Sequence, residues 1–257
     1  MLRKSKEVAV RHIVIAVLAG VALASGAHAD PRLDEKVYDP YILKGMAELE
    51  TRFGRVSGGP LDGAATTVVE AEYGVSDRLS LAAVGSVTHS SGRGTRLAAI
   101  GVEAVAYLGQ IPSIGVDAGL YFEYKKGLNS GDDGLEAKFL LAKTSGRFQG
   151  LANLIVERPL GVPKGQGYAA YGYAASATWR TVGHLRLGAE AFGDLGDDHH
   201  FLGRQGAYVG PQIKWTGRPG KSPVEIEVDA GWLAAVGESR NEASSEVKLA
   251  VELERRF

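Results

Sequence analysis

Two stretches of this chain alternate apolar and polar residues so regularly that only a β-strand can use them. In residues 114–124, Ile114, Val116, Ala118, Leu120, Phe122 and Tyr124 share one side, and Asp117, Gly119, Tyr121 and Glu123 share the other. In residues 224–234, Val224, Ile226, Val228, Ala230 and Trp232 oppose Glu225, Glu227, Asp229 and Gly231. A helix would scatter those carboxylates around its axis, whereas a strand puts them on one face. Weaker versions of the same pattern run through 44–53, 66–75, 79–87, 97–108, 135–144, 148–158, 168–180, 185–193, 205–215 and 245–257. Each segment is roughly the length a tilted strand needs to cross a bilayer.

The links between these segments alternate in length. Residues 76–78, 109–113, 145–147 and 181–184 are short turns, while 54–65, 88–96, 125–134, 159–167, 194–204 and 237–244 are longer and polar. Short turns on one side and long loops on the other are the asymmetry of a bacterial outer-membrane barrel, and an even strand number returns both ends to the periplasm. The link 216–223 is longer than its place among the short turns suggests. The expected fold is all-β, a transmembrane antiparallel β-barrel of about 12 strands, with about 10 or 14 as the alternatives.

Both ends of the chain fit that fold. The last segment alternates Val247, Leu249, Val251 and Leu253 against Glu246, Lys248, Glu252 and Glu254, and the final residue is Phe257. A closing strand with a terminal aromatic residue is what a barrel-assembly machinery reads, so Leu249, Val251, Leu253 and Phe257 form the expected assembly signal. At the other end, Arg3, Lys4, Lys6 and Arg11 precede an apolar run over 13–24, and Ala27-His28-Ala29 supplies the small residues of a cleavage site. Residues 1–29 therefore read as a signal peptide, 30–43 as a periplasmic N-terminal segment and 44–257 as the barrel. The apolar run is shorter than the ~20 residues of a spanning helix, and no later stretch approaches that length.

A soluble β-sandwich or lipocalin-like barrel is the competing fold. It would need bulky residues on its apolar face to fill a core. Here that face carries Ala169, Ala175, Ala177, Ala189 and Ala191, together with Tyr171, Tyr173, Trp179, Trp215 and Trp232, some near strand ends where an aromatic belt would sit. Hydropathy does not separate the two, because 45% hydrophobic residues and a mean hydropathy of −0.05 are what alternation produces in either case. The absence of Cys excludes thiol catalysis and cysteine-ligated metal. A net charge of −1 gives no reason to expect nucleic acid as a partner.

Several short pieces resemble a family of small proteobacterial outer-membrane β-barrels described as transporter-like. They are Val37-Tyr38-Asp39-Pro40-Tyr41 followed by Lys44-Gly45, then Glu70-Ala71-Glu72-Tyr73-Gly74-Val75-Ser76-Asp77-Arg78. Ala152-Asn153-Leu154-Ile155-Val156-Glu157, Gly188-Ala189-Glu190-Ala191-Phe192-Gly193 and Gly210-Pro211 after a His-bearing loop belong with them. The resemblance implies the barrel and its location in the outer membrane of a Gram-negative bacterium. It implies no reaction.

The functional expectation comes from the inward face. On the strand register, Glu48, Glu50, Glu70, Glu72, Glu103, Asp117, Glu123, Glu136, Glu157, Glu190, Glu225, Glu227, Asp229, Glu246, Glu252 and Glu254 point inward. Arg52, Lys138, Arg180, Arg186, Lys214 and Lys248 are the inward bases. A carboxylate-rich lumen favours cations. The expectation is a passive channel or transporter for small solutes, cation-preferring, with no cofactor. Its expected partners are outer-membrane lipid and lipopolysaccharide and the barrel-assembly machinery. The alternatives are a scaffold barrel with a closed lumen and a lipid-modifying enzyme. For the enzyme, His89 and Ser90 lie in the second long loop, and adjacent residues in an extended chain point apart, so the pair could not meet as base and nucleophile without a turn between them. Asp197, Asp198, His199 and His200 form a weak metal candidate in a loop.

Overall fold

A computed structural model describes residue 33 and residues 35–90, 92, 94–129, 131–163, 167–203 and 205–257. The expected signal peptide, 1–29, lies outside the described residues. Twelve strands follow one another: β1 (Met46–Ser57), β2 (Ala65–Ser76), β3 (Leu79–Ser90), β4 (Gly94–Ile111), β5 (Val116–Gly127), β6 (Asp133–Ser145), β7 (Phe148–Leu160), β8 (Ala170–Arg180), β9 (Leu185–Asp197), β10 (Gly206–Gly217), β11 (Glu225–Gly237) and β12 (Ser245–Arg256). Each pairs antiparallel with its sequence neighbours, and β12 closes on β1 from Met46↔Arg256 to Ser57↔Ser245. The fold is a closed twelve-stranded antiparallel barrel.

Every segment expected from the alternation is a strand. Several run further toward the long loops than the pattern indicated, β1 and β9 most visibly. The overlong turn between β10 and β11 remains, with Arg218 folded back onto Glu225 at 2.7 Å.

The two faces are inverted relative to a soluble barrel. Val69, Val102, Phe122, Leu154, Ile213, Trp232 and Leu249 point outward and are exposed, whereas Glu50, Arg52, Glu70, Glu103, Glu123 and Lys138 point inward and are buried. Leaving one large apolar side chain in water forfeits about 1.5–3 kcal/mol relative to burying it. A belt of such residues around all twelve strands is stable only where the surrounding medium is itself apolar, and in such a medium a closed sheet leaves no backbone group unpaired. Among the described residues, no helix is long and apolar enough to cross a membrane.

The loop-side half of the interior is packed. Val56, Ile155, Ala174, Phe192, Tyr208, Leu233 and Ala235 from the wall meet Ala243, which folds inward from the link between β11 and β12 behind a short 3-10 helix, Glu238–Asn241. Leu33, Val37 and Ala64 pack against this cluster.

The segment before β1 departs from expectation. Residues 30–43 were expected outside the barrel in the periplasm, but from Glu35 onward the described chain runs inside it. Leu33 packs into the loop-side cluster, Tyr38 packs at a tilt of 47° on the inward Tyr121 with ring centroids 4.7 Å apart, and Tyr41 reaches Asp117 near the turn side. The physical reason is a matched groove. Inward-facing Gly54, Gly74 and Gly119 remove side chains where the segment's main chain passes: a Cβ on Gly54 would lie 2.5 Å from the Leu33 carbonyl oxygen, one on Gly119 2.6 Å from Pro40 Cβ, and one on Gly74 would collide with the Leu43 carbonyl. We call residues 35–44 the strap.

Candidate functional site: an acidic lumen crossed by a strap

The antiparallel register places inward carboxylates directly opposite one another. Glu225 on β11, Glu254 on β12, Glu48 on β1 and Glu72 on β2 form one row across four neighbouring strands. Glu227, Glu252, Glu50 and Glu70 form a second row beside it. On another part of the wall, nearer the loop side, Glu103, Glu123, Glu136 and Glu157 form a third row across β4 to β7. Like charges directly opposite across strands oppose folding. A wall carrying three such rows therefore needs cations.

Some of those cations come from the wall. Arg52 bridges Glu50 and Glu70 through its Nη1, Lys214 pairs with Glu227, and Lys138 lies 3.0 Å from Glu136. Others come from the strap. Lys36 Nζ lies 2.9 Å from Glu50 Oε2 and 3.7 Å from both Glu48 Oε1 and Glu70 Oε1. Glu35 in turn accepts from Lys138 at 2.9 Å, so the strap neutralises charge of both signs.

Polar contacts fix the strap along its length. Tyr38 N donates to Asn153 Oδ1 and Asn153 Nδ2 donates to Tyr38 O, both at 2.8 Å, and Lys248 Nζ donates to Glu35 O. The Tyr38 ring is flanked by Lys36 Nζ at 4.6 Å and Lys138 Nζ at 4.4 Å from its centroid, an arrangement in which the ring face attracts the ammonium groups. Beside the strap, mainly on the turn side, lies a cavity of about 430 Å³. Its lining includes Glu48, Glu72, Glu227, Asp229, Glu252, Glu254, Lys214 and Arg186.

The expected acids fall in several different places. Glu70, Glu72, Glu225, Glu227 and Glu252 sit in the two adjacent rows, and Asp229 lies next to them opposite Lys214. Glu103 and Glu123 belong to the third row. Asp117 accepts the hydroxyls of Tyr41 and Tyr107 at 3.1 and 2.7 Å. Glu246 stands apart from Glu252 and Glu254: it pairs in register with Leu233 at the loop end and is fully buried. Leu249, Val251 and Leu253 alternate with the inward acids of β12, and Phe257 lies beyond its end, 75% exposed.

The loop candidates have structural work. Asp197 Oδ1 accepts the main-chain N–H groups of His199 and His200, both at 2.8 Å. Asp198 accepts the Tyr171 hydroxyl at 2.6 Å and Ala169 N at 3.0 Å, bonds that hold its carboxyl below the usual range. His199 packs edge-on against Tyr168. These contacts build the loop, and among the described residues the four side chains do not form a group that could hold a metal ion. His89 Nδ1 meets Thr95 Oγ1 at 2.9 Å rather than a serine nucleophile.

Neither the place of Lys36 among the wall carboxylates nor the clamp of Asn153 on Tyr38 follows from the alternation of the strands. The signal available was the set of glycines at inward positions, Gly54, Gly74 and Gly119, where a filled lumen would otherwise carry side chains.

No protein-family model and no curated protein sequence matches the chain. Among solved structures it is similar to an outer membrane channel from Pseudomonas putida F1, with a TM-score of 0.57 and 12% identity over 87% of this chain and 100% of that one. The outer membrane protein Omp33 of Acinetobacter baumannii gives a TM-score of 0.42 at 12% identity over 84% of this chain and 99% of that one. At such identity the first likeness speaks for the fold.

Proposed function

We propose that this chain is a passive outer-membrane channel for small solutes, cation-preferring, held shut in this conformation by its strap. The observation that carries the reading is the pair of adjacent carboxylate rows, Glu225–Glu254–Glu48–Glu72 and Glu227–Glu252–Glu50–Glu70, on one wall of the lumen. Such a concentration of negative charge behind a low-dielectric wall lowers the potential along the axis and enriches cations there. The apolar outer face supports a place in a bilayer, and the P. putida likeness supports a barrel of the kind that can conduct. In this reading the outer face meets outer-membrane lipid and lipopolysaccharide, and the β12 end with Phe257 is what the assembly machinery engages.

The scaffold reading has its own support in the packed loop-side cluster and the strap that crosses the lumen beside the cavity. Planar-bilayer recordings in a KCl gradient separate the two. The channel reading expects a reversal potential of cation sign, with larger currents when the strap is loosened. Anion-signed currents would overturn the selectivity. Silence in both the unaltered and the strap-loosened protein would leave the scaffold.

A further inference from the structure

We propose that the cage formed by Glu48, Glu50 and Glu70 is a binding site for small alkylammonium solutes, and that Lys36 is its tethered occupant. The proposal rests on the channel reading and names the class of solute the lumen selects.

The wall builds this cage and the strap fills it. Arg52 occupies one oxygen of Glu50 and one of Glu70, which leaves Glu50 Oε2, Glu70 Oε1 and Glu48 Oε1 turned toward the Lys36 ammonium. An alkylammonium carries three N–H donors, and the cage offers three carboxylate oxygens. Only one of them is at hydrogen-bonding distance. Glu70 is 1% exposed, yet its Oε1 makes no hydrogen bond among the described residues and stands 3.7 Å from Lys36 Nζ. Lysine, tethered through the strap, satisfies the cage incompletely. A free amine is not held by the strap and can shift from Glu50 toward the unbonded Glu70 oxygen.

The site has an approach and room for more than one charge. Glu48, Glu50 and Lys36 line the 430 Å³ cavity, as do Glu252 and Glu254. Carboxylate oxygens of Glu48, Glu50 and Glu252 come within 4.8 Å of one another. Glu252 and Glu254 have no Lys or Arg partner within 4.0 Å among the described residues. An aliphatic diamine can place one ammonium in the cage and the other against this second pair of acids. Calcium takes six to eight oxygens and magnesium keeps several of its waters, so either ion needs added water to complete its shell here, whereas an ammonium needs at most three acceptors.

Titration calorimetry on the detergent-refolded full chain tests this with 1,5-diaminopentane as probe. Lys36→Ala vacates the cage, and the probe is expected to bind at least tenfold more tightly than to the unaltered protein, where Lys36 competes. Adding Glu70→Gln to Lys36→Ala should cancel the gain. Equal binding to Lys36→Ala and the unaltered chain, an unchanged gain in the double variant, or tighter binding of magnesium than of the diamine would each overturn the proposal. Heat-modifiable migration on a gel shows whether each variant is folded. If Lys36→Ala does not fold, Lys36→Met keeps the stem and is titrated with methylammonium, with the same gain expected and the same absence overturning it. Calorimetry does not require an open pore, so a silent bilayer with amine binding would fail the channel reading alone, and a conducting pore without amine binding would fail the cage alone.

Discussion

Asn153 grips the main chain of Tyr38 from both sides, its Oδ1 accepting from Tyr38 N and its Nδ2 donating to Tyr38 O. The contact reads the backbone and not the side chain, so it anchors the strap wherever Tyr38 must lie. Asn153 is 1% exposed, and its loss strands two buried main-chain groups. Replacing one partner of a buried pair costs about 1–3 kcal/mol for each group left unsatisfied. Asn153→Leu, similar in size and unable to hydrogen-bond, should lower the temperature of the heat-modifiable transition and raise the open fraction in bilayer recordings. An unchanged open fraction would show that the strap is held elsewhere.

The glycine groove gives an independent way to displace the strap. At Gly54 a Cβ would sit 2.5 Å from the Leu33 carbonyl oxygen, closer than any real Cβ contact, and at Gly74 it would meet the Leu43 carbonyl. Gly54→Ala and Gly74→Ala should therefore push the strap out and increase conductance several-fold. Gly85→Ala is the control, since its nearest neighbour would be 4.0 Å away. Equal conductance in all three variants would sink the groove argument.

Inside and outside were legible because every strand carries its own period-2 pattern, and that pattern needs no partner to be read. The carboxylate rows were not, because they depend on register between strands. Register is set by turn lengths and by irregularities such as those at Gly74/Ser76, Ser86/Val87 and Tyr171/Gly172, none of which a single strand's alternation contains. Glu246 joins neither row, because it lies at the other end of β12 from Glu252 and Glu254 and its register partner on β11 is Leu233. The strap was illegible for a different reason. Residues 37–41 have no period, and Pro40 and the short length exclude a strand or helix, so only tertiary contacts decide where they lie.

The closing strand tests face assignment directly. Leu253 points outward on β12, and Glu252 beside it points into the lumen. Leu253→Arg should impair assembly, since a charge facing lipid costs about 2–4 kcal/mol at the midplane and less toward the interface. Glu252→Gln should be far milder. Folded yield, read as the heat-modifiable fraction, compares them. Removal of Phe257 should lower the same yield if the terminal aromatic is read during assembly. Equal tolerance of Arg at 252 and 253 would reverse the assigned faces.

The acid rows make the selectivity prediction. Glu225 faces Glu254 and Glu227 faces Glu252 across the β11–β12 pair, with Asp229 one step along the same strand. Converting Glu225, Glu227 and Asp229 to amides keeps their size and removes three negative charges from one wall. Lys214, which pairs with Glu227 and lies near Asp229, then becomes a cation without its carboxylates. Both changes raise the local potential, so cation preference should fall sharply and can reverse in sign. The effect should be greatest in dilute salt, where the Debye length of about 30 Å at 0.01 M exceeds the width of the lumen, and shrink toward 1 M, where it is about 3 Å. A reversal potential that is the same for the triple variant and the unaltered protein at low salt would mean that the third row, Glu103–Glu123–Glu136–Glu157, governs permeation instead.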